Sequence, residues 1–127
     1  MTSTFRQLDG NAPSAARDGG SALEDWYQRV RDIPIDQLDS GDLARACRQE
    51  LFLDALVPIA LDRIAEDANA GGLYDGELAS AVARIPNRFW TTHRELSDRA
   101  MRVLNMARPS LDEDVVAEVN ALKKSVR

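Results

Sequence analysis

Apolar residues recur every three to four positions along almost the whole chain, which is the period of helices that bury one face. The clearest stretch is 53–64, where leucine, valine, alanine and isoleucine form a wide stripe and charged residues occupy the opposite side. The strict alternation that is typical of half-buried strands does not occur. The pattern predicts an all-α fold, a compact single-domain bundle of five to six helices joined by short turns.

Prolines and glycines divide this pattern into separate helices, because the residue before a proline disfavours the helical conformation and glycine favours a helix end. The breaks are expected at Pro34, at Gly71-Gly72, at Pro86 and at Pro109. Pro58 lies inside the most apolar stretch, where an interior proline costs about 3 kcal/mol and removes one hydrogen bond. Either the regular helix begins near Leu56, where that cost vanishes, or the helix is kinked at the proline, and we expect the late start.

The two ends of the chain differ in character. Residues 1–20 are rich in serine, glycine, alanine and asparagine without a sustained period, which predicts a flexible N-terminal tail. Residues 21–127 are expected to form one helical domain, in keeping with a length of 127 residues. Within it, Ser40 and Asp75 are expected to cap the helices that follow them, because short polar side chains accept hydrogen bonds from orphan helix amides.

The composition is that of a folded domain, with 44% hydrophobic and 29% charged residues. The chain begins without an apolar segment of the secretory type and contains no run of about 18 apolar residues that would span a membrane. A single cysteine, Cys47, excludes an internal disulfide and suits a reducing compartment. A cytoplasmic location is therefore expected.

Acidic residues are concentrated in one half of the chain. The net charge is −5, which opposes binding to nucleic acid, and neither nucleic acid nor a membrane is expected as a partner. Residues 21–80 carry thirteen acidic and five basic residues, whereas residues 81–127 carry six acidic and nine basic ones. This asymmetry has two interpretations: a solvated surface that keeps the protein soluble, or a docking surface for a basic protein partner. The oligomeric state stays open, with a monomer as the simplest expectation.

The sequence contains little that points to catalysis. His93 is the only histidine, and a metal site of the usual type would need further histidine or cysteine ligands. Cys47 lies on the apolar side of its helix, where cysteine behaves as a small hydrophobe. Gly71-Gly72 lacks the spacing of a phosphate-binding loop. We therefore expect no catalytic residue, no cofactor and no metal, and a protein that is not an enzyme.

Several short motifs follow one another along the chain, namely Ile33-Pro34-Ile35, Asp42-Leu43, Gln49-Glu50, Leu53 to Leu61, Gly71 to Leu78, and Phe89-Trp90. Their order resembles that in the helical immunity proteins of bacterial contact-dependent growth inhibition (CDI) systems. The resemblance covers about residues 23 to 105. Glu77 stands where the family tends to have aspartate, and Glu50 with Leu51-Phe52 replaces a more polar junction that contains glycine.

The resemblance implies a cytoplasmic binding protein that neutralises the cognate C-terminal toxin domain of a delivered effector. Many such toxins are nucleases with positively charged substrate grooves, which an acidic surface would complement. The residues that we expect to bind the toxin are Asp36, Asp39, Asp42, Tyr74, Asp75 and Glu77. For two of them another role is open: the ring of Tyr74 could pack under the glycine turn, and Asp75 could simply cap the helix that follows it.

A second hypothesis is a small helical adaptor or regulatory protein that binds an unrelated basic protein. The neighbouring reading frame distinguishes the two, because a large secreted effector with a variable C-terminal domain directly upstream supports the immunity protein. A metabolic or regulatory operon supports the adaptor.

Overall fold

A computed structural model describes residues 3–8 and 22–125 of the protein. Within these ranges the chain forms eight α-helices and no strand. The helices are α1 (Phe5–Leu8), α2 (Ala22–Val30), α3 (Ser40–Arg48), α4 (Leu53–Glu66), α5 (Glu77–Ala83), α6 (Asn87–Thr92), α7 (Arg94–Ala107) and α8 (Glu113–Ser125). Short 3₁₀ helices cover Ile35–Gln37 and Arg108–Ser110. None of the described helices is long and apolar enough to cross a membrane.

The all-α prediction is confirmed, but eight described helices replace the five to six that the pattern predicted. One addition is α1, in the segment that was expected to be a tail. The other is α6, which the pattern joined to α7. These two helices are separated at His93, where φ is −131° and ψ is 65°, so the backbone leaves the helical region for one residue.

Helix α4 begins at Leu53, and the expected start near Leu56 is wrong. Phe52 precedes it in the left-handed conformation, with φ at 47°. The amides of Ala55 and Leu56 donate to the carbonyl of Phe52 at 2.9 and 3.0 Å, so the first turn closes before the proline. Pro58 therefore lies inside the helix and lacks only the one amide that would have donated four residues back.

The chain divides into two compact units, Met1–Leu38 and Asp39–Arg127. In the first unit, the buried Phe5 ring stacks on Tyr27 with centroids 5.8 Å apart and also contacts Trp26. Arg6 and Asp32 form an ion pair at 2.5 Å. Residues 3–8 are thus ordered by a small aromatic cluster of their own, while residues 9–20 of the expected tail lie outside the described residues.

In the second unit, α4 packs against α3, α5 and α7, and α8 packs against α5. Helix α5 is buried along its whole length. The large side chains of the core are, among others, Leu43, Leu56, Leu61, Ile64, Leu78, Trp90 and Leu104. Leu56, Leu61 and Ile64 belong to the apolar stripe of the stretch 53–64, and their burial confirms that this stripe faces the core.

Candidate functional site

The loop between α4 and α5, residues 67–76, is closed at its base by backbone hydrogen bonds. The amide of Gly76 donates to the carbonyl of Asn69, and the amide of Leu78 donates to that of Ala70, both at 3.0 Å. Gly76 can serve as the turn into α5 because its φ of +83° is in the region that glycine adopts without strain. The closed base leaves residues 71–75 projecting from the surface, and all five are exposed.

The side chain of Glu77 fills the inside of this loop and is only 1% exposed. Its Oε1 accepts hydrogen bonds from the amides of Gly72 and Leu73 at 2.8 and 3.0 Å. Its Oε2 accepts from Nη1 of Arg48, on α3, at 3.0 Å. Because both oxygens are occupied by donors, the buried charge is compensated and the loop is tied to α3.

These contacts also set the protonation of Glu77. Burial alone would raise the pKa of this carboxyl group, because it disfavours the charged form. The amides of Leu73 and Gly72 and the Arg48 guanidinium stabilise the carboxylate more strongly, so the pKa of Glu77 falls below its ordinary value. The carboxylate is therefore charged at neutral pH.

A close backbone approach places the loop beside the N-terminus of α3. A Cβ atom added to Gly72 would lie 2.9 Å from Cα of Gly41, and one added to Gly41 would lie 3.1 Å from Cα of Gly72. Only hydrogens fit between the two backbones at this distance. The Gly41–Gly72 pair thus places the N-terminal turn of α3 directly against the loop that leads into α5.

Two large apolar side chains stand out on this loop, since Leu73 is 82% and Tyr74 is 50% exposed. Beside Leu73 lies a groove of about 460 Å³. The residues that line the groove are Gly41, Arg45, Arg48, Gly72, Leu73 and Glu77. The loop therefore exposes two apolar side chains next to an open groove. The charged residues of the groove come from α3 (Arg45 and Arg48) and α5 (Glu77).

Of the six residues that the sequence analysis selected, two lie at the N-terminus of α3 (Asp39 and Asp42), and three lie in the loop or at the start of α5 (Tyr74, Asp75 and Glu77). The Gly41–Gly72 approach places these two segments side by side. Asp36 belongs to the other unit, in the 3₁₀ helix Ile35–Gln37, where it is exposed. Asp39 and Asp75 are exposed and Asp42 is half-buried. Glu77 differs from the rest because it is buried and holds the loop from inside.

Both expected helix caps are wrong. The N-cap of α3 is Asp39, whose Oδ1 accepts a hydrogen bond from the amide of Asp42 at 2.8 Å, while Ser40 is already helical. Gly76, and not Asp75, occupies the N-cap position of α5. Asp75 is consequently a surface carboxylate. The half-exposed ring of Tyr74 likewise does not pack fully under the glycine turn.

Sequence reasoning missed Leu73 and Arg48. The signal for Leu73 was its position, since it is a lone large apolar residue between Gly71-Gly72 and Tyr74-Asp75, outside every helical stripe. Arg48 carries no comparable signal. Its partner Glu77 is 29 residues away in the chain, so their contact exists only in the folded unit.

Other groups with possible chemistry are used structurally. Cys47 is buried, and burial raises the pKa of its thiol to about 12, which leaves almost no thiolate at neutral pH. The ring of His93 stacks on Phe89 with centroids 4.2 Å apart, and its Nδ1 lies 2.9 Å from the carbonyl oxygen of Phe89. Among the described residues, no group of three or more His, Cys, Asp or Glu side chains is arranged to hold a metal ion.

No curated protein matches the chain. A family model described as CDI immunity proteins matches residues 7–100. This range contains α2 to α6, both segments that the Gly41–Gly72 approach joins, and the first turns of α7. The match covers most of the sequence and agrees with the resemblance drawn from the short motifs. The chain belongs to the family of CDI immunity proteins.

Proposed function

We propose that this protein binds the C-terminal toxin domain of its cognate CDI effector in the cytoplasm and blocks it without any turnover. The contact surface consists of the loop 71–75 and the N-terminal turn of α3. The single observation that carries the proposal is the exposure of two adjacent large apolar side chains, Leu73 at 82% and Tyr74 at 50%, on a loop that is held from inside.

Exposure of this kind suits a binding surface better than a solvated turn. Single apolar residues on a surface are common, but here two neighbours stand on a projecting loop beside an open groove. Tyrosine is enriched among the residues that dominate interface energies, because its ring buries much area with few rotatable bonds. Tyr74 is therefore our candidate anchor, with Leu73 packing beside it.

Charge supports a nuclease as the toxin. Arg48 and Glu77 neutralise each other. The remaining charged residues at the loop and the N-terminal half of α3 are three carboxylates, Asp39, Asp42 and Asp75, and one guanidinium, Arg45, so this surface is acidic in net charge. Carboxylates in these positions can replace the phosphates of nucleic acid in a basic substrate groove. Opposite charges also speed the encounter of two proteins and select between partners.

Co-expression with the toxin domain encoded upstream tests the proposal, with survival and co-purification as readouts. We expect the natural protein to protect the cells and to co-purify with the toxin. Leu73→Ser together with Tyr74→Ala should abolish both. Met106→Ser is the matched control, because Met106 is 83% exposed but lies on α7. Full protection by the loop variant would remove the loop from the interface, and degradation of nucleic acid by the free toxin tests its class.

Charge reversal tests the acidic part of the surface. Asp42→Lys together with Asp75→Lys should slow association with the toxin and weaken the dependence of the association rate on ionic strength. Asp98→Lys on α7 is the control for a change of net charge alone, because Asp98 is exposed on another helix. Association kinetics that stay unchanged at low salt would exclude these carboxylates from the interface.

A further inference from the structure

We infer that Glu77 and Arg48 form a latch that shapes the loop 71–75 before any partner binds, so that Glu77 is a positioning residue and not a contact residue. The consequence for binding rests on the proposed function. The latch itself is a property of the free protein and is testable without a toxin.

The geometry assigns this role because one carboxylate holds two different parts of the unit. Oε1 accepts hydrogen bonds from the consecutive backbone amides of Gly72 and Leu73, which belong to the projecting part of the loop. Oε2 accepts a hydrogen bond from the guanidinium group of Arg48 on α3. With 1% of its side chain exposed, Glu77 has no surface left to offer a partner. Its influence on binding must therefore act through the loop.

The carboxylate suits this position better than a neutral side chain of the same shape. A glutamine could accept from the loop amides with its carbonyl oxygen, but its amide group would then face the Arg48 guanidinium, and both groups are donors. Charged acceptors also form the stronger hydrogen bonds to backbone amides. Replacing Glu77 by glutamine therefore keeps the size of the side chain but removes its bond to Arg48 and weakens its bonds to the loop amides, so the loop is no longer tied to α3.

A latched loop binds more tightly than a loose one of identical composition. If only a fraction of the molecules has the loop in its binding conformation, the apparent dissociation constant rises in inverse proportion to that fraction. A loop that is formed in about one molecule in ten would bind about tenfold more weakly. The latch thus contributes to affinity although neither of its charged groups needs to touch the toxin.

Amide hydrogen exchange on the free protein, followed residue by residue, is the direct test. In the natural protein the amides of Gly72 and Leu73 should exchange slowly, because both donate to Glu77. Glu77→Gln and Arg48→Met should each speed their exchange about tenfold or more, while the core amides of α4 stay protected. Arg48→Lys, which keeps the charge, should restore part of the protection, and Asp75→Asn should leave it unchanged. Loop amides that exchange equally fast in the natural protein and in Glu77→Gln would overturn the latch.

Should Glu77→Gln or Arg48→Met fail to fold, Arg48→Lys carries the same test, because Arg48 is 34% exposed and lysine keeps a positive charge beside the buried carboxylate while it loses the planar guanidinium. Binding to the toxin is measured separately. We expect about tenfold weaker affinity for Glu77→Gln, with Leu73 and Tyr74 still protected in the complex. Loosened loop amides with unchanged affinity would refute the effect on binding and leave the latch standing. Absence of toxin binding by the natural protein would refute the proposed function alone.

Discussion

The hydroxyl group of Ser80 donates a hydrogen bond to Oε1 of Glu118 at 2.6 Å and thereby joins α5 to α8. Helix α5 carries Glu77, and α8 lies beyond the residues that match the family model. The other oxygen of Glu118 lies 3.5 Å from Nε of Arg84. Helix α5, whose Glu77 holds the loop, is therefore bound to α8, and α8 lies outside the residues that the family model matches.

This relationship predicts unequal effects for two substitutions around Glu118. Ser80→Ala should lower the free energy of unfolding by about 1 kcal/mol, because Ser80 is buried and its hydrogen bond ends on a charged acceptor. Arg84→Ala should lower it by less than about 0.5 kcal/mol, since the Arg84 side chain is mostly exposed and the pair is screened. Urea unfolding of both variants measures the difference. A larger loss of unfolding free energy for Arg84→Ala than for Ser80→Ala would contradict the view that the Ser80–Glu118 hydrogen bond is the stronger of the two contacts.

The Gly41–Gly72 approach makes a second prediction. Gly72→Ala should destabilise the protein by about 1–3 kcal/mol, because its methyl group would meet the Gly41 backbone at 2.9 Å and the backbone has to shift. Gly41→Ala is the informative comparison. Alanine in a helix is normally favoured over glycine by about 1 kcal/mol, so a net gain in thermal stability at this position would disprove the close contact.

A third prediction concerns pH. The pKa of Glu77 is lowered in the folded protein, so its contribution to stability is complete above the ordinary carboxyl pKa of about 4.3 and is lost as the pH falls through the folded value. The other charged groups that line the groove with it are Arg45 and Arg48. The difference in unfolding free energy between the natural protein and Glu77→Gln should therefore shrink below about pH 4.

Urea titrations between about pH 3 and pH 7 give this difference directly. Carboxylates other than Glu77 contribute to both proteins and cancel in the subtraction. A difference that stays constant over the whole range would show that the charge of Glu77 does not stabilise the fold.

A fourth prediction concerns Cys47. Because burial raises the pKa of its thiol to about 12, alkylation by iodoacetamide at pH 8 should be at least about a hundredfold slower in the native protein than in urea. Mass spectrometry over time measures both rates. Rapid labelling of the native protein, with its circular dichroism unchanged, would contradict the buried position.

The helices themselves were predictable because their signal is local. Apolar residues at helical spacing indicated the all-α class, and the glycine pair at residues 71 and 72 and the prolines at 86 and 109 indicated breaks that lie close to the observed ones. The resemblance to CDI immunity proteins was equally readable, since it depends on the order of short motifs along the chain, and the family match confirms it. Local signals failed where a helix depended on its surroundings, as at Phe5, which becomes buried against Tyr27.

The sequence by itself determined which residues carry charge and which faces are apolar, because both follow from residue type and spacing. Only the tertiary structure decided what Glu77 does. In the sequence it is one acidic residue among many after a glycine turn, and we expected it on the surface. In the fold it is buried, because Arg48 and the amides of Gly72 and Leu73 converge on it. Burial of a charge depends on partners that distant segments supply, and no local pattern records where those segments meet.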